Sequence, residues 1–447
     1  MKKDTIVANA TPLIPSAVGI VRISGEDALK IGKQIFTLPQ EIQERKAYFG
    51  KILDLDGSVL DEGLFIYFKA PKSFTGEDVV EIYPHGSVPV IKKIIENVIT
   101  LGGRLANPGE FTYRAFLNGK IDLTQAEAIA DLISAKTEKA SKAAVRLLEG
   151  KLSEKINSLR ETLLNLISLI EAEINFPEDV EEIDSQLIVE NLLKVKKSID
   201  KLVGSYKKGS LIKEGIKLAI VGRPNVGKSS LFNAMVGYER SIVSSYQGTT
   251  RDFIEETLKI KDIPIILLDT AGIRETAEYV EKLGIERSKQ KIEEADIILF
   301  VIDGSQGFTD EDKKIYDEIK NKIHIIVINK ADLITKPLDI FEKSDNIIYT
   351  SSVTFQGIKD LEEKIIEILG ITETEDEIII NLRHYTLLKQ AIEKIEKVVE
   401  NIDFLIENKE ILMLDLQEVL NYLEEIVGHI TTEDVLGNIF SKFCIGK

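Results

Sequence analysis

The 447-residue sequence predicts a multidomain protein of three parts. An N-terminal α+β domain comes first, and an α/β phosphate-loop domain is inserted into a discontinuous α-helical domain. Three observations predict this. The stretch GRPNVGKSS at 222–230 stands between the apolar run 217–221 and the helix-like run 230–235. Helical apolar stripes lie on both sides of that region, one at 156–174 and others beyond 382. Short strand-like runs precede them all. A chain of this length exceeds one ordinary core, so several domains are expected.

Residues 1–118 form the α+β domain in this reading. Their strand candidates are 5–8, 19–23, 64–68 and 79–83, with one or two helices between them. Residues 119–212 form the first helical part. Ile156, Leu159, Leu163, Leu166, Ile170 and Ile174 recur at three- and four-residue steps, as one face of a long helix does. Pro177 ends that helix, and the acidic run 178–182 reads as a solvated turn. Residues 213–370 alternate strand and helix, the pattern of a parallel α/β domain. Residues 371–447 form the second helical part. Leu388, Ile392, Ile395, Val399, Ile402 and Leu405 make one stripe; Leu416, Val419, Leu420, Leu423, Ile426 and Val427 make another. Neither helical part buries its stripe alone, so the two are expected to pack together around the insertion.

Composition narrows the class. With 44% hydrophobic and 29% charged residues, the chain reads as soluble and globular. It has no apolar run of 18 residues, so no membrane span is expected. The opening MKKDTIVANATPLIP lacks a sustained apolar core, so no signal peptide is expected. A single cysteine, Cys444, excludes an internal disulfide and a multi-cysteine metal site; by itself it reads as a small buried hydrophobe. The compartment expected is the cytoplasm. The net charge of −17 is uneven. Residues 1–118 carry 14 basic and 14 acidic side chains, and 119–212 carry 14 and 16, which leaves −15 for 213–447. That acidic half is not a broad nucleic-acid surface, because phosphate contacts need positive charge.

The glycine loop carries the chemistry. Its backbone N–H groups, with the positive end of the following helix, cradle nucleotide phosphates. Lys228 can reach the β- and γ-phosphates, and Ser229 can hold Mg2+. Three further elements follow in the order of a GTP-binding domain. Gly248-Thr249-Thr250-Arg251-Asp252 supplies a threonine for Mg2+ and the γ-phosphate. Asp269-Thr270-Ala271-Gly272 ends an apolar strand, where Asp269 meets the metal through water and the Gly272 N–H meets the γ-phosphate. Asn329-Lys330-Ala331-Asp332 ends another, and the Asp332 carboxylate selects guanine by accepting from donors that adenine lacks. Ser351-Ser352-Val353 stands where a backbone N–H meets the guanine oxygen. The full GTP-binding set expected is Asn225, Val226, Gly227, Lys228, Ser229 and Ser230, then Gly248, Thr249 and Thr250, to which resemblance to bacterial GTPases adds Ser244, Ser245, Tyr246 and Gln247. It continues with Asp269, Thr270, Ala271, Gly272, Asn329, Lys330, Asp332, Ser351, Ser352 and Val353.

Two residues bear on mechanism. Ile273 follows the DTAG element, and an aliphatic side chain cannot orient water as the glutamine of Ras-like switches does. Asn225, with the threonine-rich segment after it, fits GTPases that place K+ beside the phosphates; a plain loop-stabilising asparagine is the alternative.

GRPNVGKS, GTTRD, DTAG and NKAD resemble several bacterial GTPases. The flanks narrow the family. DTIVANAT, VGIVRISG at 18–25, SFTGEDVVE at 73–81, PGEFTYRAFLNGKIDLTQAEAIADLI at 108–133 and the closing FCIGK resemble the tRNA-modification GTPase family MnmE, also called TrmE, over the full length. The resemblance implies a homodimer with an N-terminal domain like those of folate-binding one-carbon enzymes. It implies work with an FAD-containing partner of the MnmG (GidA) type on the wobble uridine of tRNAs. Carbon from 5-formyl- or methylene-tetrahydrofolate would join an amine to C5, with GTP hydrolysis driving the cycle. The runner-up readings are a ribosome-assembly GTPase and a folate-binding switch scaffold.

Carried over by the resemblance, Asn225, Ser244, Tyr246 and Thr249 would ligate K+, and Ser229 and Thr250 Mg2+. Lys228 and Asp269 would act in catalysis with Glu281, which would position water; from the residues alone, Glu281 is a solvated helix charge. Arg22, Glu81, Lys120 and Lys447 would contact the folate, since cations pair with its glutamate tail and a carboxylate accepts from the pterin. Alone, Arg22 and Lys120 would read as surface ion-pair residues. Pro12–Ala17 replaces the family's glycine/arginine-rich loop, and Ser351-Ser352-Val353 its commoner Ser-Ala-Lys. His85, His324, His384 and His429 have no metal-ligand spacing and are expected to be structural.

Overall fold

The computed structural model describes residues 4–179, 182–238, 257–268, 292–334, 346–371 and 378–446. The chain divides into two compact units. One comprises 1–133, 145–199 and 386–447; the other comprises 134–144 and 200–385.

In the first unit, β1 (Ile6–Asn9), β2 (Val21–Ser24), β3 (Ala47–Leu53), β4 (Val59–Phe68), β5 (Val79–Tyr83) and β6 (Arg104–Leu105) form a six-stranded sheet. Its order is β3-β4-β5-β2-β1-β6, antiparallel except for the β1–β6 pair. Helices α1 (Ala28–Gln34) and α2 (Val88–Thr100) cover one face. The strand period of two decides which residues go there. Val7, Ile23 and Val80 stand opposite one another in register and join Ile31, Phe65, Ile91 and Ile94 in that core. The alternate residues Ala8, Arg22 and Glu81 also stand opposite one another, on the other face. There Ile6, Ala8 and Ala106 meet Phe111 of α3 (Glu110–Leu117).

Edge strand β3 has a weak sequence signal because Gly50 interrupts it. The glycine is needed, since a Cβ there would lie 2.5 Å from the Thr37 carbonyl oxygen.

The helical part comprises α4 (Leu123–Ser134), α5 (Glu138–Leu148), α6 (Lys151–Asn175) and α7 (Ser185–Glu214), then α11 (Leu382–Glu400), α12 (Ile402–Glu407), α13 (Lys409–Val427) and α14 (Glu433–Phe440). Of the α6 stripe, Ile156, Leu159, Leu163, Leu166 and Ile170 are buried, and α13 packs along that helix. Arg160 pairs with Glu424 at 2.6 Å and Lys409 pairs with Glu173 across the same two helices. Lys394 ties α11 to Asp415 and Glu418 of α13. Thus helices from both sides of the phosphate-loop region share one core. The stripe read through 388–405 is broken in two: Val398, not Val399, is buried, and α11 stops at Glu400. The Asn401 amide donates to the Lys397 carbonyl at 2.8 Å, a local bond that competes with continuing the helix.

Phe440 and Phe443 pack with Leu123, Ala126 and Leu436, and with Tyr113 and Phe116. A Cβ at Gly109 would lie 2.7 Å from the Phe440 carbonyl oxygen. This close approach lays the C-terminal segment against β1, where a Cβ at Gly446 would lie 2.3 Å from the Asn9 carbonyl oxygen.

The second unit holds β7 (Ile216–Val221), β8 (Thr257–Ile260), β9 (Ile263–Leu268), β10 (Ile297–Asp303), β11 (His324–Asn329) and β12 (Ile347–Tyr349). The order is β12-β11-β10-β7-β9-β8, parallel except for β8. All seven residues of β10 are buried, as in a sheet covered on both faces. α8 (Lys228–Tyr238), α9 (Asp310–Ile319) and α10 (Ile358–Ile368) accompany it. The parallel strands end at Val221, Leu268, Asp303, Asn329 and Tyr349, and ligands bind at that edge of α/β sheets.

Candidate functional site

The phosphate loop leaves β7 at Gly222 and enters α8 at Lys228. It needs left-handed backbone at three points: Gly222 has φ 153, Asn225 φ 65 and Gly227 φ 95. Asparagine tolerates that region, and its side chain is exposed. Val226 is buried and anchors the loop in the core. The Lys228 ammonium donates to the Gly222 and Arg223 carbonyl oxygens at 2.7 and 2.8 Å. Burial pushes its pKa down, so the charge is held at a cost that an anion would relieve. Ser229 and Ser230 open the same helix, as a metal and phosphate role requires.

The 329–332 segment joins this loop directly. Asn329 donates from Nδ2 to the Val226 carbonyl at 3.0 Å and accepts at Oδ1 from Ser352 Oγ at 3.1 Å. Lys330, at φ 61, donates to the Asn225 carbonyl at 3.0 Å and to Asp303 Oδ2 at 2.6 Å. The Ala331 N–H donates to the Thr350 carbonyl at 2.9 Å, which sets the Ser351-Ser352 segment beside it. Asp332 is exposed, and so is Val353 at 81%. Ser244, Ser245, Tyr246, Gln247, Gly248, Thr249, Thr250, Asp269, Thr270, Ala271, Gly272, Ile273 and Glu281 lie outside the described residues.

Two residues of this site, Asp303 and Asp312, have no place in the motifs. Asp303 is 1% exposed and holds Lys330. Arg223 pairs through Nε with Asp312 at 2.9 Å; Asp312 also closes the capping box of α9 with Thr309. The signal for Asp303 was present: like Asp269 and Asn329, it ends a wholly apolar strand.

A second cluster lies in the first unit. Strand register puts Arg22 opposite Glu81. Arg22 Nε donates to Glu81 Oε1 at 2.8 Å, and its Nη1 to the Gly446 carbonyl at 3.3 Å. Tyr83, two residues beyond Glu81, donates to Glu81 Oε2 at 2.5 Å. Burial, then the Glu81 carboxylate, pushes the Tyr83 phenol up, so it remains a donor. The guanidinium lies 5.7 Å from the ring centres of both Phe74 and Phe111. Lys120 donates to the Pro71 carbonyl at 3.0 Å, on the loop that carries Phe74. Arg22 and Glu81 are therefore brought together on a partly buried face. Lys447 lies outside the described residues, one residue beyond Gly446. Cys444 is exposed, contrary to the buried hydrophobe its residue type suggests, because buried Phe443 and Gly446 fix the backbone on either side. Tyr83, Phe74, Phe111 and Gly446 carry no local signal; only the register assembles them.

Behind this face, Arg114 and Arg104 share Glu110 and Asp4, and Arg114 also meets Glu77. Ser24 Oγ bonds Glu77 at 2.8 Å. Glu77 thereby ties down the loop that bears Phe74. His85 pairs with Asp61, while His384 is fully buried and accepts from the Asn381 N–H at its Nδ1. Among the described residues no group of three metal-ligating side chains occurs, and no helix is long and apolar enough to cross a membrane.

Two family descriptions match the chain: "GTP-binding protein TrmE N-terminus" over residues 5–120 and "MnmE helical domain" over 123–444. Curated relatives match end to end. "tRNA modification GTPase MnmE" of Aquifex aeolicus is 53% identical over 100% of both chains, and that of Acetivibrio thermocellus 44% over 100% of both. A solved structure of Aquifex aeolicus Era bound to GDP and aluminium fluoride is 34% identical, covering 40% of this chain and 66% of that one, with a TM-score of 0.28.

Proposed function

The chain belongs to the tRNA modification GTPase MnmE family, and we propose that it is a K+-dependent GTPase acting on the wobble uridine of tRNAs with a folate-derived carbon. The observation that carries the nucleotide reading is the direct joining of the two recognition segments: Asn329 and Lys330 bond the carbonyls of Val226 and Asn225. GTP bridging them would have its phosphates on the Gly222–Ser230 loop and its base at Asp332 and the Ser351-Ser352-Val353 segment. Lys228 would exchange carbonyl partners for phosphate oxygens. Bound Mg2+ and K+ would supply charge against the phosphates. Ser229 and Thr250 would hold the first; Asn225, Ser244, Tyr246 and Thr249 the second. Glu281 and Asp269 would complete catalysis.

The folate reading rests on Arg22 and Glu81. Both Glu81 oxygens are engaged once, and each keeps a lone pair for pterin donors. Lys120 and Lys447 would meet the glutamate tail of 5-formyl- or methylene-tetrahydrofolate. A homodimer, an FAD-containing MnmG (GidA)-type partner, tRNA as joint substrate and a cytoplasmic site complete the proposal. Its test is phosphate release from GTP in K+ and in Na+ at equal ionic strength. We expect turnover about tenfold or more faster in K+, the scale of one stabilising electrostatic contact. Equal rates would overturn the K+ role. A normal wobble-uridine profile, by mass spectrometry of tRNA from cells lacking the protein, would overturn the tRNA role.

A further inference from the structure

We propose that Asp303 is a positioning residue that couples guanine selection to the phosphate loop through Lys330. This rests on the guanine-nucleotide site proposed above and adds to it a residue outside its motifs. Asp303 ends β10 and is paired in register with Asn329 of β11; the Gly304 N–H donates to the Asn329 carbonyl at 2.8 Å. Its two carboxylate oxygens have separate work. Oδ1 accepts from the Ser305 N–H at 2.9 Å and from Ser305 Oγ at 2.6 Å, which fixes the carboxylate plane. Oδ2 accepts from Lys330 Nζ at 2.6 Å.

Lys330 is only partly buried, with a side chain 32% exposed, whereas Asp303 is 1% exposed. A long lysine side chain at a partly open site would sample many rotamers; a fixed buried carboxylate selects one. In that rotamer the same ammonium reaches the Asn225 carbonyl at 3.0 Å. Asn225 occupies a left-handed conformation, so this carbonyl contact helps to hold the loop where backbone preference alone does not. The chain of contacts runs Ser305, Asp303, Lys330, Asn225. It links the end of one strand to the turn of the phosphate cradle, with the base-selecting segment between them. Burial raises the Asp303 pKa, but hydrogen bonds from Lys330 and Ser305 more than reverse this, so the carboxylate stays ionised.

The alternative is that Asp303 only closes the turn at 304–307. The two roles separate in GDP affinity, measured with fluorescent GDP in Na+ buffer so that the K+ reading is not engaged. Asp303→Asn keeps the shape and the Ser305 contacts but removes the charge. We expect it to weaken GDP by about tenfold to a hundredfold, the value of a charged hydrogen bond. Lys330→Met should do the same, and the double variant should be no more than about threefold worse than the poorer single, since both remove one contact. Asp303→Glu should recover part of the loss. Wild-type affinity in Asp303→Asn, or single effects that multiply in the double variant, would overturn the coupling. If Asp303→Asn does not fold, Lys330→Met, at a partly exposed side chain, still decides: amides 222, 223 and 225–227 should exchange faster in it, and unchanged exchange overturns the proposal. Failure of the wild-type protein to bind GDP would sink the nucleotide reading itself, a separate result.

Discussion

In the nucleotide site the half-buried ammonium of Lys228 donates to two backbone carbonyls. In the N-terminal cluster the Arg22 guanidinium meets a full carboxylate, Glu81, at 2.8 Å. The first charge is held by partial charges, and burial works against it. The second is already neutralised before any ligand arrives. A dipole-held cation gains most from an incoming anion, which suits a phosphate site whose occupant leaves as product. A carboxylate-held cation offers fixed hydrogen-bonding geometry with little net charge, which suits a cofactor recognised by shape and donor pattern.

The largest test of this contrast is Lys228→Met. It removes the charge and keeps the apolar stem. GTP turnover should fall by about a hundredfold to a thousandfold, as when one transition-state donor is lost. The melting temperature of the nucleotide-free protein should not fall, because the variant deletes a charge that burial penalises. Loss of stability together with activity would break the comparison, since it would make Lys228 a structural ion.

Arg22→Met should act in the opposite sense. It leaves Glu81, itself 9% exposed, without its cation. We expect a loss of about 1–3 kcal/mol of stability in the N-terminal part, scaled down from a fully buried pair because both partners touch solvent. Binding of 5-formyltetrahydrofolate by calorimetry should weaken about tenfold or more, while GTP turnover stays at the wild-type rate. Arg22→Met combined with Glu81→Gln should regain stability without regaining binding.

The two sites also differ in how far they were legible in the sequence. The phosphate loop is made of neighbours, 222–230, whose backbone does the binding, so a local pattern suffices. Strand β7, which feeds the loop, and β11 were legible for the same reason, as apolar runs at 217–221 and 325–328. The N-terminal cluster is made of side chains from 22, 74, 81, 83 and 111 and the carbonyl of 446, and only strand register and the docking of the C-terminal segment bring them together. Arg22 and Glu81 were reached through family resemblance, whereas Tyr83 had no signal and Gly446 lay in the closing FCIGK with no role given to it. Edge strand β3 was missed because its glycine is explained by a tertiary contact with Thr37, and Asp303 because its partner lies 27 residues on, in a motif read for a different purpose.

The smallest test is the pH response, where the windows should diverge. Burial raises the Glu110 pKa, and hydrogen bonds from Arg104, the Asn107 N–H and Arg114 outweigh it, leaving the carboxyl low; Asp4 is lowered likewise by Arg104 and Arg114. A carboxylate lowered on folding stabilises fully above its unfolded value, near the ordinary 4.5 for Glu110. That contribution is lost as pH falls through the folded value. Amides of α3 should therefore open more readily on acidification below that value and show no such change from pH 8 to 10. Lys228 is lowered too, and its slope has the same sign, but on the alkaline side and as a cost at neutral pH: the folded state resists the proton that the unfolded chain still binds. Stability of the phosphate loop should therefore rise with pH between the folded value and the ordinary 10.5. Asp303 adds an acid-side loss of its own to that site, so only the alkaline limb distinguishes the two regions. Hydrogen exchange of α8, corrected for intrinsic rate, should slow by roughly threefold on that limb, a sub-kilocalorie local effect. The Lys228→Met protein should show no alkaline limb. If it kept one, a different group would be titrating and the charge held by backbone dipoles would not be the source of the difference.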